Sequence, residues 1–241
     1  MSLRTEFIKT PLEEVMSEGF SVSNCLKTAG IESYPALDYI LSSLFLRMTG
    51  FSEQKLRSIH WELASLDLDT RYSMIKGDEG RYGEYSNLEK KKEFYTFLKK
   101  ISQKLCYTAI QWEDAERQYI LDYVKVVIEE LLNNSIFSIA YTNDVKASIE
   151  FVKTWTIDDF LSGDYFMSQC LTDVYDNHLY KQRNNSAHNT LWYQKDNIQL
   201  SELKKDGSQR NNFFTYFALL ILLDTIFTRA YDKIIQSLKV Y

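Results

Sequence analysis

Glycine and proline are scarce in this chain, and their scarcity limits the folds that it can adopt. The 241 residues include 8 glycines and 2 prolines. Proteins usually contain roughly 7% glycine and 5% proline, and a β-rich protein of this size needs many turn residues. Hydrophobic residues make up 45% of the chain and aromatic residues 15%, so we do not expect disorder. The composition therefore predicts an all-α protein with few, long helices.

An excess of positive charge is also lacking. The formal net charge is −5 at pH 7. Affinity for nucleic acid grows with the number of phosphates that lysine and arginine neutralise. The net charge therefore argues against nonspecific binding of nucleic acid by the whole surface, although it does not exclude a small basic site.

Cysteine pairs, a leader peptide and a long apolar run are missing as well. Cys25, Cys106 and Cys170 are odd in number and far apart, which is typical of thiols in a reducing compartment. Residues 1–20 lack the apolar core of a signal peptide. The run 213–227 is shorter than the ~20 apolar residues of a membrane span. We therefore expect a cytoplasmic protein without a membrane segment.

Hydrophobic residues recur at helical spacing along most of the chain. Gly50 is expected to end the first long helix. The helix over residues 113–141 carries two adjoining apolar stripes, which predicts a central place in the bundle. The predicted helices cover residues 11–16, 33–50, 52–68, 88–110, 113–141, 144–153, 156–162, 164–193 and 212–238.

The predicted C-terminal helix is more apolar than burial on one side requires, which we interpret as core plus a subunit interface. We divide the chain into an N-terminal helical part, residues 1–110, and a second helical part, residues 111–241. One continuous domain is the alternative.

Lysines crowd the helix predicted over residues 88–110. A lysine-rich face is usually solvated, and here it is also the first candidate for a surface that follows phosphate groups. Residues 77–87 hold three glycines and are predicted to form a mobile hairpin. We expect His60 to be packed or exposed and His178 to lie on the surface. The lysines of this face stand at positions 90, 91, 92, 99, 100 and 104.

The segment 181–190 concentrates groups that can move a proton or hold a phosphate. It places His188, one of three histidines, five residues after Arg183 near the end of a predicted helix. Asn184 and Asn185 lie between them. These residues resemble the arginine–four-to-six-residues–histidine signature of the HEPN superfamily, including the frequent asparagine directly after the arginine. The matched motif covers six of the 241 residues.

The resemblance implies a fold and an activity. HEPN domains are helical bundles that usually dimerise, and many are metal-independent RNA endonucleases of bacterial antiviral defence and toxin systems. The expected architecture is a HEPN-like four-helix core with additional N-terminal helices, acting on RNA without a metal or cofactor. Some HEPN toxins carry a modified tyrosine two residues after the histidine, where this chain has Thr190. We therefore expect a free-standing nuclease or one with a different inhibitory partner protein.

The residue types of the motif fit cleavage of RNA by its own 2′-hydroxyl. His188 suits proton transfer because an imidazole has a pKa near 6.5. Arg183 carries a permanent, bidentate charge that suits the pentacoordinate phosphorus, and Asn184 is expected to fix the imidazole or a phosphate oxygen. The expected substrate-binding residues are Lys181, Asn185, Tyr180 and Tyr193.

The spacing of the motif raises a geometric difficulty. Residues five apart on an ideal helix differ by about 140°, so Arg183 and His188 do not share a face. Either the helix distorts near Asn185 and Ser186, or two chains meet around a two-fold axis; we prefer the second. A HEPN-like binding or scaffold protein without catalysis, and an unrelated all-α protein, are the alternative readings.

Overall fold

The computed structural model describes residues 3–27, 30–76, 84–162, 165–188 and 212–238, with the backbone alone for residues 31 and 188. Helices dominate this part of the chain, which confirms the all-α prediction. Its only sheet is an antiparallel hairpin of β1 (Phe160–Ser162) and β2 (Tyr165–Met167). The α-helices are α1 Leu3–Lys9, α2 Leu12–Asn24, α3 Tyr34–Ala64, α4 Leu68–Lys76, α5 Leu88–Cys106, α6 Asp114–Asn133, α7 Phe137–Ala140, α8 Thr142–Lys153, α9 Gln169–Val174, α10 Tyr180–His188 and α11 Phe213–Leu238.

The C-terminal helix α11 forms the centre of the bundle. It contacts α2, α3, α5, α6 and α8, and residues 214–224 are all buried. Its apolar girth is therefore covered within the chain, so the argument from surplus apolar surface to a subunit interface is wrong. The prediction that 113–141 is the central helix is also wrong, since α6 leaves Tyr119 and Val126 more than half exposed.

By length and composition, α11 is also a helix that could cross a membrane, and it is the one such candidate among the described residues. Of its most apolar window, 78% is buried inside the protein. The polar Asp224 lies in the same helix and is paired within the bundle. Burial among the other helices accounts for the apolar character of α11.

Helix α3 joins two helices that the sequence predicted to be separate. It runs without interruption from Tyr34 to Ala64 and passes through Gly50. Gly50 is exposed, and a methyl group added there would have no heavy atom within 4 Å. The predicted stop is wrong because the apolar residues on both sides of Gly50 bury the same face of one helix, and this burial outweighs the low helix propensity of glycine.

The N-terminal residues form more helix than their weak periodicity predicted. The helix predicted over residues 11–16 is α2, which runs to Asn24 and follows the separate helix α1. Leu12, Met16 and Phe20 of α2 are buried, as is Ile8 of α1. The two helices therefore belong to the core.

A buried ion pair connects these N-terminal helices to α11. The Lys55 ammonium lies 2.7 Å from the Asp224 carboxylate and donates to the carbonyl of Thr10 at 2.6 Å. The backbone N–H of Leu12 donates to Asp224 at 3.2 Å. Core contacts thus cross residue 110, while the division into two parts stays a prediction.

The helix predicted over residues 156–162 is replaced by a turn and a hairpin. Thr156 and Asp159 form a reciprocal cap, and the Thr156 backbone N–H donates to Asp159 Oδ2 at 2.8 Å. The cap starts a single 3₁₀ turn, after which Phe160 and Leu161 enter β1 and are buried. Burial of these two side chains ends the helix at once. The hairpin leads the chain to the start of α9.

Candidate functional site

The motif lies on a helix with an irregular turn. α9, a π-helical segment (Tyr175–Leu179) and α10 follow one another without a break from Gln169 to His188. A π turn holds an extra residue, which rotates all later side chains by about 100° and is frequent at functional sites. The predicted distortion near Asn185 and Ser186 is wrong, because α10 is regular there and the irregular turn lies upstream.

Arg183 is held by an ion pair with α3. Its Nη2 lies 3.1 and 3.4 Å from the two carboxylate oxygens of Glu53. Its Nη1 donates to the side-chain oxygen of Asn184 at 3.3 Å. The side chain of Arg183 is 25% exposed and that of Glu53 is 13% exposed. The guanidinium is therefore held by an ion pair, and the Arg183 side chain stays partly accessible to solvent.

A second cation lies beneath this ion pair. Lys91 of α5 is 1% exposed, and its ammonium donates to the carbonyl of Tyr85. The ammonium also lies 5.7 Å from the centre of the Tyr175 ring. Among the described residues, no carboxylate is within ion-pair distance of it.

Electrostatic interactions connect Lys91 with Glu53 and Arg183. Burial lowers the pKa of Lys91 to about 8, Glu53 raises it and Arg183 lowers it further. Burial likewise raises the pKa of the Tyr175 hydroxyl, which feels Glu53 and Arg183 as well. We call Glu53, Lys91 and Arg183 the charge cluster.

The segment before α5 covers the charge cluster. Tyr85 is 4% exposed, and its hydroxyl is hydrogen-bonded to Nδ1 of His60. The hydroxyl of Tyr175 donates to the Ser86 carbonyl at 2.9 Å. The segment then enters α5, which Asn87 caps by accepting from the Lys90 N–H at 2.8 Å. The end of the predicted mobile hairpin is thus fastened to three helices, while residues 77–83 lie outside the described residues.

The structure describes some of the predicted site residues, whereas others lie outside the described part of the chain. Arg183 and Asn184 are in contact. Asn185 is half-buried and Lys181 is exposed, while Tyr180 packs against the core. The backbone of His188 ends α10, but its imidazole lies outside the described residues, as do Thr190, Tyr193 and the predicted loop 194–210.

The other two histidines have clear surroundings. His60 is 6% exposed, and burial lowers its pKa to about 4, so of the two expected environments, packed or exposed, the structure shows the packed one. His178 lies in the π-helical segment and is half-buried, not fully on the surface as predicted. Burial and then the charge of Lys181 lower its pKa.

Sequence reasoning missed Glu53, Lys91 and Tyr175. Lys91 was assigned to an exposed lysine face, yet it shares one helical stripe with the buried Leu88, Tyr95 and Leu98. Spacings of three, four and three residues put these positions on one side of α5. The helical spacing of Lys91 from these apolar residues could therefore have predicted that Lys91 is buried.

Other concave surfaces lie away from the motif. A cleft of about 370 Å³ is bounded by α2, α6 and α11 and is lined by Glu13, Trp112, Asp224 and Lys233 among others. It does not include Arg183. In the described part of the chain, no group of three or more His, Cys, Asp or Glu side chains is placed to hold a metal ion.

Comparisons of the chain with protein-family models, with curated proteins and with solved structures give no match. The function is therefore argued from the charge cluster and from the chemistry of the motif.

Proposed function

We propose that this chain is a metal-independent RNA endonuclease of the HEPN type, acting in the cytoplasm in bacterial defence or growth arrest. The observation that carries the proposal is the state of Arg183, a guanidinium fixed by Glu53, adjacent to Asn184 and one-quarter exposed. A planar cation in such a place is preorganised to bind two oxygens of a phosphodiester. His188 follows on the same helix.

The proposed reaction is attack of the ribose 2′-oxygen on the adjacent phosphorus. The new O2′–P bond forms as the P–O5′ bond breaks, which leaves a 2′,3′-cyclic phosphate and a 5′-hydroxyl. His188 gives a proton to the departing 5′-oxygen, and water takes the proton of the 2′-hydroxyl. Arg183 stabilises the added negative charge on the phosphorane oxygens, and Asn184 donates to a phosphate oxygen.

Two copies of the chain complete the proposed site. Because α10 is regular from Tyr180 to His188, Arg183 and His188 of one chain diverge by about 140°. A two-fold axis beside α10 places Arg183 of one chain near His188 of the partner subunit, and the reverse pair forms by symmetry. The apolar surface of α11 takes no part in this dimer. The exposed Lys181 and the half-buried Asn185 face the groove and bind RNA.

The test is an RNA cleavage assay with single-stranded RNA in the presence of EDTA. We expect products with cyclic phosphate ends, and a loss of at least roughly 10²-fold in rate for His188→Ala and Arg183→Ala. The matched control is Arg47→Ala, which removes another arginine that pairs with a glutamate, Glu18, and should leave the rate unchanged. Cleavage that survives His188→Ala, or that requires a divalent ion, contradicts the proposal.

One observation favours a second candidate, an RNA- or protein-binding module without catalysis. Glu53 already matches the charge of Arg183, as it would in a purely structural ion pair. The two candidates differ in living cells. Growth arrest on expression in bacteria that Arg183→Ala relieves supports the nuclease, and harmless expression together with binding of uncleaved RNA supports the module.

A further inference from the structure

We propose that Glu53 and Lys91 are positioning residues for Arg183 that exchange partners when substrate binds. In the free protein the Glu53 carboxylate forms an ion pair with the Arg183 guanidinium. When a phosphodiester binds the guanidinium instead, the Glu53 carboxylate turns inward and pairs with the Lys91 ammonium. The proposal rests on the proposed function, because it treats Arg183 as the phosphate-binding group.

The contact between Glu53 and Arg183 is open to competition. One nitrogen serves both carboxylate oxygens, at 3.1 and 3.4 Å, instead of two nitrogens meeting two oxygens in the strong fork geometry. The other terminal nitrogen contacts only the neutral Asn184. The Arg183 side chain also keeps some exposure to solvent, which weakens an ion pair relative to a fully buried one. An arriving phosphate anion therefore displaces the carboxylate at a small cost.

Lys91 has the capacity to receive the displaced carboxylate. An ammonium carries three donors, and that of Lys91 uses one on the Tyr85 carbonyl and faces the Tyr175 ring with another side. The influence of Glu53 on the pKa of Lys91 shows that the two charges are within electrostatic range. A buried ammonium without a carboxylate is costly, and a hydrogen-bonded carboxylate partner offsets part of that cost.

Counting charges gives the exchange its direction. The charge cluster has two cations and one anion, so among the described residues one positive charge beside the motif is unmatched. A phosphodiester brings one negative charge, and two cations then meet two anions. After the exchange, Arg183 pairs with the phosphate, and Glu53 pairs with Lys91 inside the protein.

The first experiment needs no RNA. Arg183→Gln removes the guanidinium and so imitates the state in which it is occupied. In a crystal structure of this variant we expect a Glu53 carboxylate oxygen within about 3 Å of Lys91 Nζ, a normal charge-assisted hydrogen bond. A carboxylate that stays near residue 183, or that turns to solvent, overturns the exchange.

The second experiment measures binding of a single-stranded RNA with 2′-O-methyl groups, which cannot be cleaved by 2′-hydroxyl attack. We expect Glu53→Gln to lower the Kd about fivefold, the equivalent of ~1 kcal/mol. Lys91→Met should raise the Kd in the wild-type background and leave it unchanged in the Glu53→Gln background. The matched control is Glu18→Gln, which breaks the exposed pair with Arg47 and should not change the Kd.

The outcomes separate the two proposals. Weaker binding by Glu53→Gln, or an equal effect of Lys91→Met in both backgrounds, overturns the exchange even if RNA is bound and cleaved. A wild-type protein that binds no RNA contradicts the proposed function, and the Arg183→Gln structure still decides whether the carboxylate moves. If Lys91→Met fails to fold, the structure and the Glu53→Gln arm decide the question.

Discussion

Lys91 is the residue at which the proposed function and the stability of the fold favour different side chains. Its side chain is 1% exposed, and its charge is compensated only by a carbonyl, an aromatic ring and a glutamate that pairs elsewhere. An apolar side chain of similar length would satisfy the packing without burying a charge. A lysine here is therefore best explained by a role in the charge cluster.

The pH dependence of stability measures how much the buried charge costs. Unfolded Lys91 titrates near 10.5 and the folded residue near 8. Between these two pH values the unfolded chain binds a proton that the folded chain lacks, so the free energy of unfolding rises with pH. Below pH 8 Lys91 is protonated in both states, and burial of its charge lowers the free energy of unfolding by a constant amount. Urea unfolding should show wild type gaining on the order of 3 kcal/mol relative to Lys91→Met between pH 7 and 10.5.

The same experiment tests the value of the lysine at neutral pH. At pH 7 Lys91→Met is expected to be at least as stable as wild type, because the variant removes a buried charge whose one direct hydrogen bond within the described part of the chain is to a carbonyl. Parallel pH profiles for the two proteins would show that folding does not lower the pKa of Lys91. A strongly destabilised variant would show that the lysine is retained for folding.

Lys55 and Asp224 form the contrasting case of a buried charge with a full partner. Both are buried, and the pair also satisfies the Thr10 carbonyl and the Leu12 N–H. Lys55→Met leaves the carboxylate without its cation, so unfolding experiments should show a loss of about 3–5 kcal/mol. The double variant Lys55→Met, Asp224→Leu should recover most of this loss.

An exposed ion pair supplies the control for that prediction. Lys9 and Asp232 are 3.4 Å apart, with 43% and 32% of their side chains exposed. Lys9→Ala should change the free energy of unfolding by less than about 1 kcal/mol. Equal losses for Lys9→Ala and Lys55→Met would show that burial of the Lys55 pair does not matter.

At the scale of elements, α3 is a long helix with a weak point. Gly50 lies in its interior and faces open space, where glycine lowers helix stability relative to alanine. Gly50→Ala is expected to raise the free energy of unfolding by about 0.5–1 kcal/mol, or roughly 1–4 °C in Tm. Gly19→Ala is the control, since its added methyl group would lie 2.8 Å from the Leu44 side chain and should give no gain. A Tm that falls in Gly50→Ala would contradict the open environment.

The elements also show what the sequence could predict. The cap of α11 was predictable to one of two adjacent residues, because Asn211 and Asn212 both precede a strongly apolar helix. The side-chain oxygen of Asn212 accepts from the Thr215 N–H at 3.0 Å. The continuation of α3 through Gly50 was not predictable, since propensity is local and the burial that overrides it is tertiary. The central position of α11 could not be predicted either. A helix that is apolar on all sides can be covered by the same chain or by a second one, and its sequence does not distinguish the two cases.

The site was predictable only in part for the same reason. Arg183 and Asn184 are adjacent in sequence, so their contact follows from the helix. Glu53 lies 130 positions away from Arg183 and reaches it only through the packing of α3 against α10. The π-helical segment that rotates α10 leaves no clear pattern in the residues Tyr175–Leu179. Long-range partners and helix irregularities are properties of the assembled bundle.

At the scale of the whole molecule, the described core is continuous. Buried residues from α1 to α11 form one cluster, and the Lys55–Asp224 pair crosses from the first half of the chain to the last helix. Among the described residues, one chain thus forms this core and covers α11 without help from a second copy. The proposed dimer uses polar surface near α10, so we expect it to dissociate on dilution more readily than a dimer with an apolar interface.

Subunit mixing tests whether two chains share one site. Arg183→Ala and His188→Ala proteins are each expected to be inactive. In a mixed dimer, the intact arginine of one chain meets the intact histidine of the partner subunit, which restores one of two sites. Half of the dimers in an equal mixture are mixed, so RNA cleavage should return to roughly a quarter of the wild-type rate. A mixture that stays inactive, at concentrations where sedimentation shows dimers, would place both residues of each site in a single chain.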